Sequence, residues 1–219
     1  MSLTEKDFRP ELGDSASKAF ALVLAAGSST RFGGNKLVAP FRGRPLIAHV
    51  TAVVAEAIAA GIIGGGVAVV RPTDTRLGWY FDTAGLALVP NPDDDSGLAS
   101  SIRRGLEALS AAPWTPAASA AVIILADQPL VQCRVIRTLV AQWRRTGLTV
   151  RPRYAEQPLE PGHPVVLDRG FWAQARELEG DRGLGAMLRS RPEAVTIVDV
   201  SGSNPDVDSL EDLLKLGGD

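Results

Sequence analysis

Two short apolar runs, each emptying directly into a chemically loaded loop, constrain this chain more than anything else in it. Ala19 to Ala25 (AFALVLA) ends in a Gly/Ser cluster, and Ala121 to Ala126 (AVIILA) ends in Asp127-Gln128-Pro129. A run of six or seven apolar residues without alternation fits a strand covered on both faces, which is the condition of a parallel sheet sandwiched between helices. The intervening segments agree. Pro45 to Ala60 has helical composition with Pro in its opening turn, Gly61 to Gly66 stops it, and Val67 to Val70 is again apolar, so this stretch reads as one β-loop-α-β unit.

Further along, Leu86 to Val89 reads as a strand and Asn91-Pro92-Asp93-Asp94-Asp95 as a loop whose acidic end can cap the next helix. In that helix Leu98, Ile102, Leu106 and Leu109 share a face, leaving Arg103 and Arg104 to solvent. Helix periodicity returns from Val131 to Trp143, Phe171 to Leu178, Leu184 to Leu188 and Leu210 to Leu216, and strands are expected at Val165 to Leu167 and Val195 to Val198. Strands alternating with helices predict a single three-layer α/β domain with a mostly parallel, Rossmann-like sheet, occupying residues 19–219 behind a polar tail at 1–18. Ligands of such sheets bind beyond the carboxyl ends of the strands. The loops after Ala25 and Ala126 are therefore the places to look.

Composition removes several alternatives. A net charge of -2 with no clustered Lys/Arg stripe offers no counter-charge for a nucleic-acid backbone. Cys133 is the one cysteine, so no disulfide forms within the chain, and a buried helical thiol in a reducing compartment is expected. Residues 1–18 lack the basic start and apolar stretch of a secretory signal, which points to the cytoplasm. Ala52 to Val70 approaches the length of a membrane span, but Glu56 and four glycines divide it into helix, turn and strand, so no membrane association is expected. Pro113 to Ser119 reads as a surface loop.

The first loop carries the chemistry. Leu24-Ala25-Ala26-Gly27-Ser28-Ser29-Thr30-Arg31-Phe32-Gly33-Gly34-Asn35-Lys36 combines small residues, hydroxyls and two cations straight after a buried strand. Small residues let backbone N–H groups approach an anion, and the cations can neutralise phosphate oxygens. It is neither a Walker loop nor a G-x-G-x-x-G fingerprint. On these residues alone, a structural glycine turn and a phosphate site stand about level.

This run resembles the L-A-x-G-x-S-x-R-x-G-x-x-K signature of the MobA-like nucleotidyltransferases. Five more segments follow in that family's order: Asn91-Pro92 with Gly97-Leu98-Ala99-Ser100-Ser101-Ile102-Arg103-Arg104-Gly105-Leu106, Asp127-Gln128-Pro129-Leu130-Val131, Gly162-His163-Pro164-Val165, Gly180-Asp181-Arg182-Gly183, and Asp206-Val207-Asp208-Ser209-Leu210-Glu211-Asp212-Leu213. Together they are most similar to the molybdenum-cofactor (molybdopterin) cytidylyltransferase group and imply a fold of the nucleotide-diphospho-sugar transferase type.

The resemblance implies the following roles. Leu24, Ala25, Ala26, Gly27, Ser28, Ser29, Arg31 and Lys36, with Gly97, Ser100 and Ser101, bind the nucleotide; Arg31, Lys36 and Asp127 serve catalysis. Asp127 and Asp208 hold Mg²⁺ or Mn²⁺, with Asp206 ranked below them, and Gly162, His163, Gly180 and Asp181 border the acceptor. Both Asp206 and Asp208 can instead be loop or helix N-cap residues. His49 is structural.

The implied reaction moves CMP from the co-substrate CTP to a molybdopterin-type phosphate, and a molybdenum hydroxylase or its chaperone is the implied partner. CTP is favoured over GTP because Ala26-Gly27 stands where the guanylyl branch carries two glycines. A different nucleotide, a sugar or alditol phosphate acceptor, and a non-catalytic nucleotide-binding module all remain open. Three features depart from the family: Glu160-Pro161 before Gly162, Leu210 in place of Pro, and the polar residues before Phe20. Glu160 puts an acidic group near an anionic acceptor.

Overall fold

The computed structural model describes residues 18–27, 32–93, 97–111, 113, 117–180 and 184–217. Within them the chain alternates strand and helix. The strands are β1 (Lys18–Leu24), β2 (Pro40–Phe41), β3 (Arg44–Pro45), β4 (Gly66–Val70), β5 (Leu86–Pro90), β6 (Ala118–Leu125), β7 (Thr149–Tyr154), β8 (Val165–Asp168) and β9 (Val195–Val200). The helices are α1 (Leu46–Ala59), α2 (Gly78–Thr83), α3 (Leu98–Leu109), α4 (Cys133–Thr146), α5 (Trp172–Arg176), α6 (Leu184–Arg189) and α7 (Leu210–Lys215).

Seven strands form one sheet in the order β5-β4-β1-β6-β8-β7-β9, and β2 with β3 forms a separate hairpin. Every pairing in the large sheet is parallel except those of β8, which runs antiparallel to β6 on one side and to β7 on the other. The expected mostly parallel sheet in three layers is what forms. β1 and β6, the two apolar runs, lie side by side at its centre with Leu24 opposite Leu125. Their carboxyl ends therefore open at the same edge, which brings the first loop beside Asp127.

Alternation along the strands divides the core in two. Val23, Val122, Ile124, Val150 and Val166 face α1, α4 and α7, while Leu22, Leu24, Ile123, Val165 and Leu167 face α3, α5 and α6. Close approach is set locally by Gly66, where a Cβ would fall 2.2 Å from the Ala21 carbonyl oxygen. Cys133 is buried at the start of α4. His49 is structural as expected: its Nε2 sits 2.8 Å from the Phe41 carbonyl and its Nδ1 3.2 Å from Arg44.

The sequence reading missed three elements. β7 escaped it because TVRPRY carries two arginines and a proline, yet Arg151 is buried in that strand. Helix α2 and the β2/β3 hairpin are too short to show a period. Boundaries also moved: β6 begins at Ala118, inside the expected loop, the helix expected from Val131 to Trp143 runs from Cys133 to Thr146, and the one expected from Phe171 to Leu178 is α5 alone, preceded by a 3₁₀ turn at Arg169–Phe171. Ala52 to Val70 is indeed helix, turn and buried strand, and no helix among the described residues is long and apolar enough to cross a membrane.

Candidate active site

A cleft of about 380 Å³ opens at the carboxyl edge of β1 and β6. Leu24, Ala25, Ala26 and Gly27 form one wall, Gly97, Leu98 and Ser101 at the start of α3 form another, and Lys36 with Leu37 closes the third side. Its floor is Leu125, Ala126 and Asp127, joined by Asp206 and Asp208 from the segment before α7. Backbone bonds lock these pieces together: Ala126 N–H donates to the Leu24 carbonyl at 3.0 Å, and Val207 N–H donates to the Asp127 carbonyl at 3.0 Å. Residues far apart in sequence are thereby held on one edge.

Lys36 is the centre of charge. Its Nζ donates to Asp127 Oδ2 at 2.7 Å and to Asp208 Oδ1 at 2.9 Å, and its side chain is only 8% exposed. Burial works against the ammonium, but Asp127 and Asp208 outweigh it, and the Lys36 pKa stands above its ordinary value. The side chain of Asn35 prepares this position: its Oδ1 accepts from Leu37 N–H while its Nδ2 donates to Asp74. Asp208 is free for Lys36 because the cap of α7 is made by other groups. Ser209 is the N-cap residue and forms a reciprocal capping box with Asp212, so the N-cap alternative is answered for both aspartates.

Asp206, ranked lower from sequence, lies on the cleft floor. Burial raises its acid pKa, helped by the negative charge of Asp127 and Asp208. Gln128 Nε2 donates to Asp206 Oδ1 at 2.7 Å, which turns Gln128 Oε1 toward Asn204, whose Nδ2 donates to it at 2.9 Å and to the His163 carbonyl at 3.2 Å. Tyr154 OH donates to the same carbonyl at 2.9 Å. This amide relay ties the cleft floor to the Gly162-His163-Pro164 turn. Gln128 was visible in the D-Q-P motif without a role, and Asn204 carried no sequence signal, since a single Asn between loops has no period or spacing to betray it.

The structure brings Leu24, Ala25, Ala26, Gly27, Lys36, Gly97, Ser101, Asp127 and Asp208 together around the cleft. Ser28, Ser29, Arg31 and Asp181, as well as the capping role expected of Asp95, lie outside the described residues. Ser100 does not join the lining: it is buried, donates to the Gly97 carbonyl at 2.8 Å and accepts from Asn91 Nδ2 at 2.9 Å, so its hydroxyl is spent on the α3 N-terminus. Gly162, His163 and Gly180 also stand off the lining. Gly180 flanks the mouth, its carbonyl accepting from Ala99 N–H at 3.2 Å. His163 is held by its carbonyl, and burial together with nearby Arg151 pushes its imidazole pKa down to about 4. Arg104 is half-buried rather than freely solvated and lies 3.8 Å from Glu107.

The donor set fits a divalent ion of the Mg²⁺ type. Asp127 and Asp208 already converge on a single cationic centre, at 2.7 and 2.9 Å from Lys36 Nζ. No group of three His, Cys, Asp or Glu side chains among the described residues forms a cage. Two carboxylates facing an open cleft match an ion that takes its remaining ligands from phosphates and water.

Comparison with known proteins gives this arrangement a family. Rv0371c of Mycobacterium tuberculosis H37Rv superposes with a TM-score of 0.78 at 26% identity, covering 93% of this chain and 98% of that one. A manganese complex of Rv0371C superposes with a TM-score of 0.73 at 24% identity over 91% and 98% of the two chains. A CMP:2-keto-3-deoxy-manno-octonic acid synthetase complexed with CTP shares the fold, with a TM-score of 0.67 at 16% identity over 91% and 97%. The bifunctional protein GlmU of Geobacter sulfurreducens is 26% identical over 175 residues, which is 79% of this chain but 35% of GlmU, so the chain spans about a third of that relative's length. Residues 21–195 match the MobA-like NTP transferase domain, and the chain belongs to that family.

Proposed function

We propose that this protein is a nucleotidyltransferase that moves CMP from CTP to a phosphate monoester of the molybdopterin type, releasing pyrophosphate. The observation that carries the reading is the convergence of Lys36, Asp127 and Asp208 at the floor of a cleft walled by the Leu24–Gly27 segment and the start of α3. In the reaction a phosphate oxygen of the acceptor attacks the α-phosphorus, the bond from that phosphorus to the α,β-bridging oxygen breaks, and the electron pair leaves with pyrophosphate. The attacking phosphate is already ionised near neutral pH, so no general base is required.

Transfers of this kind ask a protein for positioning and charge neutralisation. Lys36 is placed to neutralise triphosphate oxygens, and Arg31 shares that role by its place in the motif. A divalent ion held by Asp127 and Asp208 would supply further charge neutralisation at the phosphates; Rv0371C is described in complex with manganese, which supports such an ion here. Gly97 and Ser101 border the nucleotide from the start of α3. Gly162, His163, Gly180 and Asp181 are assigned to the acceptor side, with a molybdenum hydroxylase or its chaperone as the recipient of the product. The preference for CTP rests on Ala26, which stands at the cleft wall where the guanylyl branch carries a glycine.

Thermal unfolding with CTP, GTP, UTP or ATP, each with and without Mg²⁺ or Mn²⁺, tests the donor. A ligand at about 100 times its Kd adds roughly 2.7 kcal/mol, so a metal-dependent shift selective for CTP is expected. A larger shift with GTP would reassign the nucleotide, and no shift with any of the four would end the reading. Pyrophosphate release on adding molybdopterin, abolished in Asp127→Asn with the fold intact, separates an enzyme from a nucleotide-binding module.

A further inference from the structure

β7 and β9 run parallel with Arg151 opposite Ile197 and Arg153 opposite Asp199. The exposed Arg153 is thus fully matched, its Nε and Nη2 donating to Asp199 at 2.7 and 3.1 Å. The buried Arg151, 8% exposed, faces an isoleucine instead. One of its terminal nitrogens donates to the Pro161 carbonyl, and its Nε has no hydrogen-bond partner among the described residues. Burial lowers the Arg151 pKa from its ordinary value, the nearby charge of Arg189 lowers it further, and Glu160 opposes both. Glu160 is already engaged by Arg189 at 3.8 Å. A buried guanidinium without a carboxylate is costly to maintain, and its planar fork suits an oxyanion.

The position of Arg151 relative to the cleft follows from register. β8 places Val165 opposite Ile123, and Val150 opposite Val166, so Arg151 lies level with Val165 and Ile123 and two residues short of Leu125 on the cleft floor. Two strand spacings and two residues of rise put its Cα roughly 12 Å from that of Leu125. Because Val150 faces α4, Arg151 faces the other layer, the side of the sheet on which Leu24 and Leu125 meet α3.

We infer that Arg151, backed by Arg189, binds an anionic group of the acceptor, a phosphate or carboxylate, beside the nucleotide cleft. This rests on the nucleotidyltransferase reading and adds the residue that holds the anionic group of the second substrate. It also resolves the place of Glu160, whose charge is offset by Arg189 rather than turned on the acceptor.

The test measures two binding events by calorimetry: a CTP analogue with a methylene α,β-bridge in the presence of Mn²⁺, then glycerol 3-phosphate added to that complex, with glycerol as the uncharged control. Wild type is expected to bind glycerol 3-phosphate and not glycerol. Arg151→Met should weaken glycerol 3-phosphate by tenfold or more with the analogue's Kd unchanged, Arg151→Lys should recover part of the loss, and free Arg151→Met should melt no lower than wild type. Equal binding of glycerol 3-phosphate by Arg151→Met, or its failure to bind wild type loaded with the analogue, overturns the assignment. A collapse in melting temperature with unchanged probe affinity also overturns it, in favour of a structural arginine. Failure of the analogue with retained, Arg151-dependent binding of glycerol 3-phosphate would sink the nucleotidyltransferase reading alone, and failure of both ligands would sink both.

Discussion

Lys36 Nζ lies 2.7 Å from Asp127 Oδ2 across 91 residues of sequence, and this ion pair ties the segment that follows β1 to the one that follows β6. Lys36→Met leaves Asp127 and Asp208 facing each other without a counter-charge. The variant is expected to lose about 1–3 kcal/mol of stability and roughly a hundredfold or more of pyrophosphate release. A raised lysine pKa stabilises the fold fully below the unfolded value of 10.5 and ceases to do so as pH rises through the higher folded value. The melting difference between wild type and Lys36→Met should therefore hold steady up to about pH 10 and shrink above it. A difference that stays constant to strongly alkaline pH would show that the pair carries no net stabilisation.

The His163 imidazole has a pKa near 4 in the folded chain against 6.5 for the ordinary group. A lowered value means that the folded state favours the neutral ring. The contribution is present above the unfolded value and is lost as pH falls from 6.5 toward 4. Urea midpoints measured over that range should fall in wild type and fall less in His163→Gln. NMR titration of the ring offers a direct check, and a midpoint near 6.5 would contradict the burial assigned to it.

Gln128 spans Asp206 and Asn204 at 2.7 and 2.9 Å. Gln128→Ala should cost about 1–3 kcal/mol, because the buried Asn204 amide and the Asp206 carboxylate each lose a bond. Gln128→Glu should cost more than the alanine variant, since it sets a second carboxylate against Asp206. Chemical denaturation of the two variants ranks them, and the reverse order would remove the relay from the account of this site.

Gly66 and Gly105 separate two kinds of close packing. A Cβ at Gly66 meets the Ala21 backbone carbonyl at 2.2 Å, whereas one at Gly105 meets the Leu22 side chain at 2.0 Å. Backbone in a central sheet cannot move aside, while a leucine can change rotamer. Gly66→Ala should cost about 3 kcal/mol or more and Gly105→Ala about 1–3, as read from their melting temperatures. Equal losses would mean that β1 and β4 can part.

The alternation of apolar runs with helix-periodic segments determined the α/β class and the parallel sheet, because the central strands, buried on both faces, are built almost wholly of apolar residues and so advertise themselves. It also placed Lys36 and Asp127 at the carboxyl ends of β1 and β6, since the loaded loops begin where those runs stop. Only the tertiary structure decided that Lys36 pairs with Asp127 and Asp208 together, that Ser209 rather than an aspartate caps α7, and that Ser100 turns away from the cleft. Those outcomes depend on strand order and on hydrogen bonds between segments up to 172 residues apart, and periodicity reports only on near neighbours. β7 shows the same limit from the other side: its buried Arg151 reads as a surface residue until the neighbouring strands and the loop at Pro161 close over it.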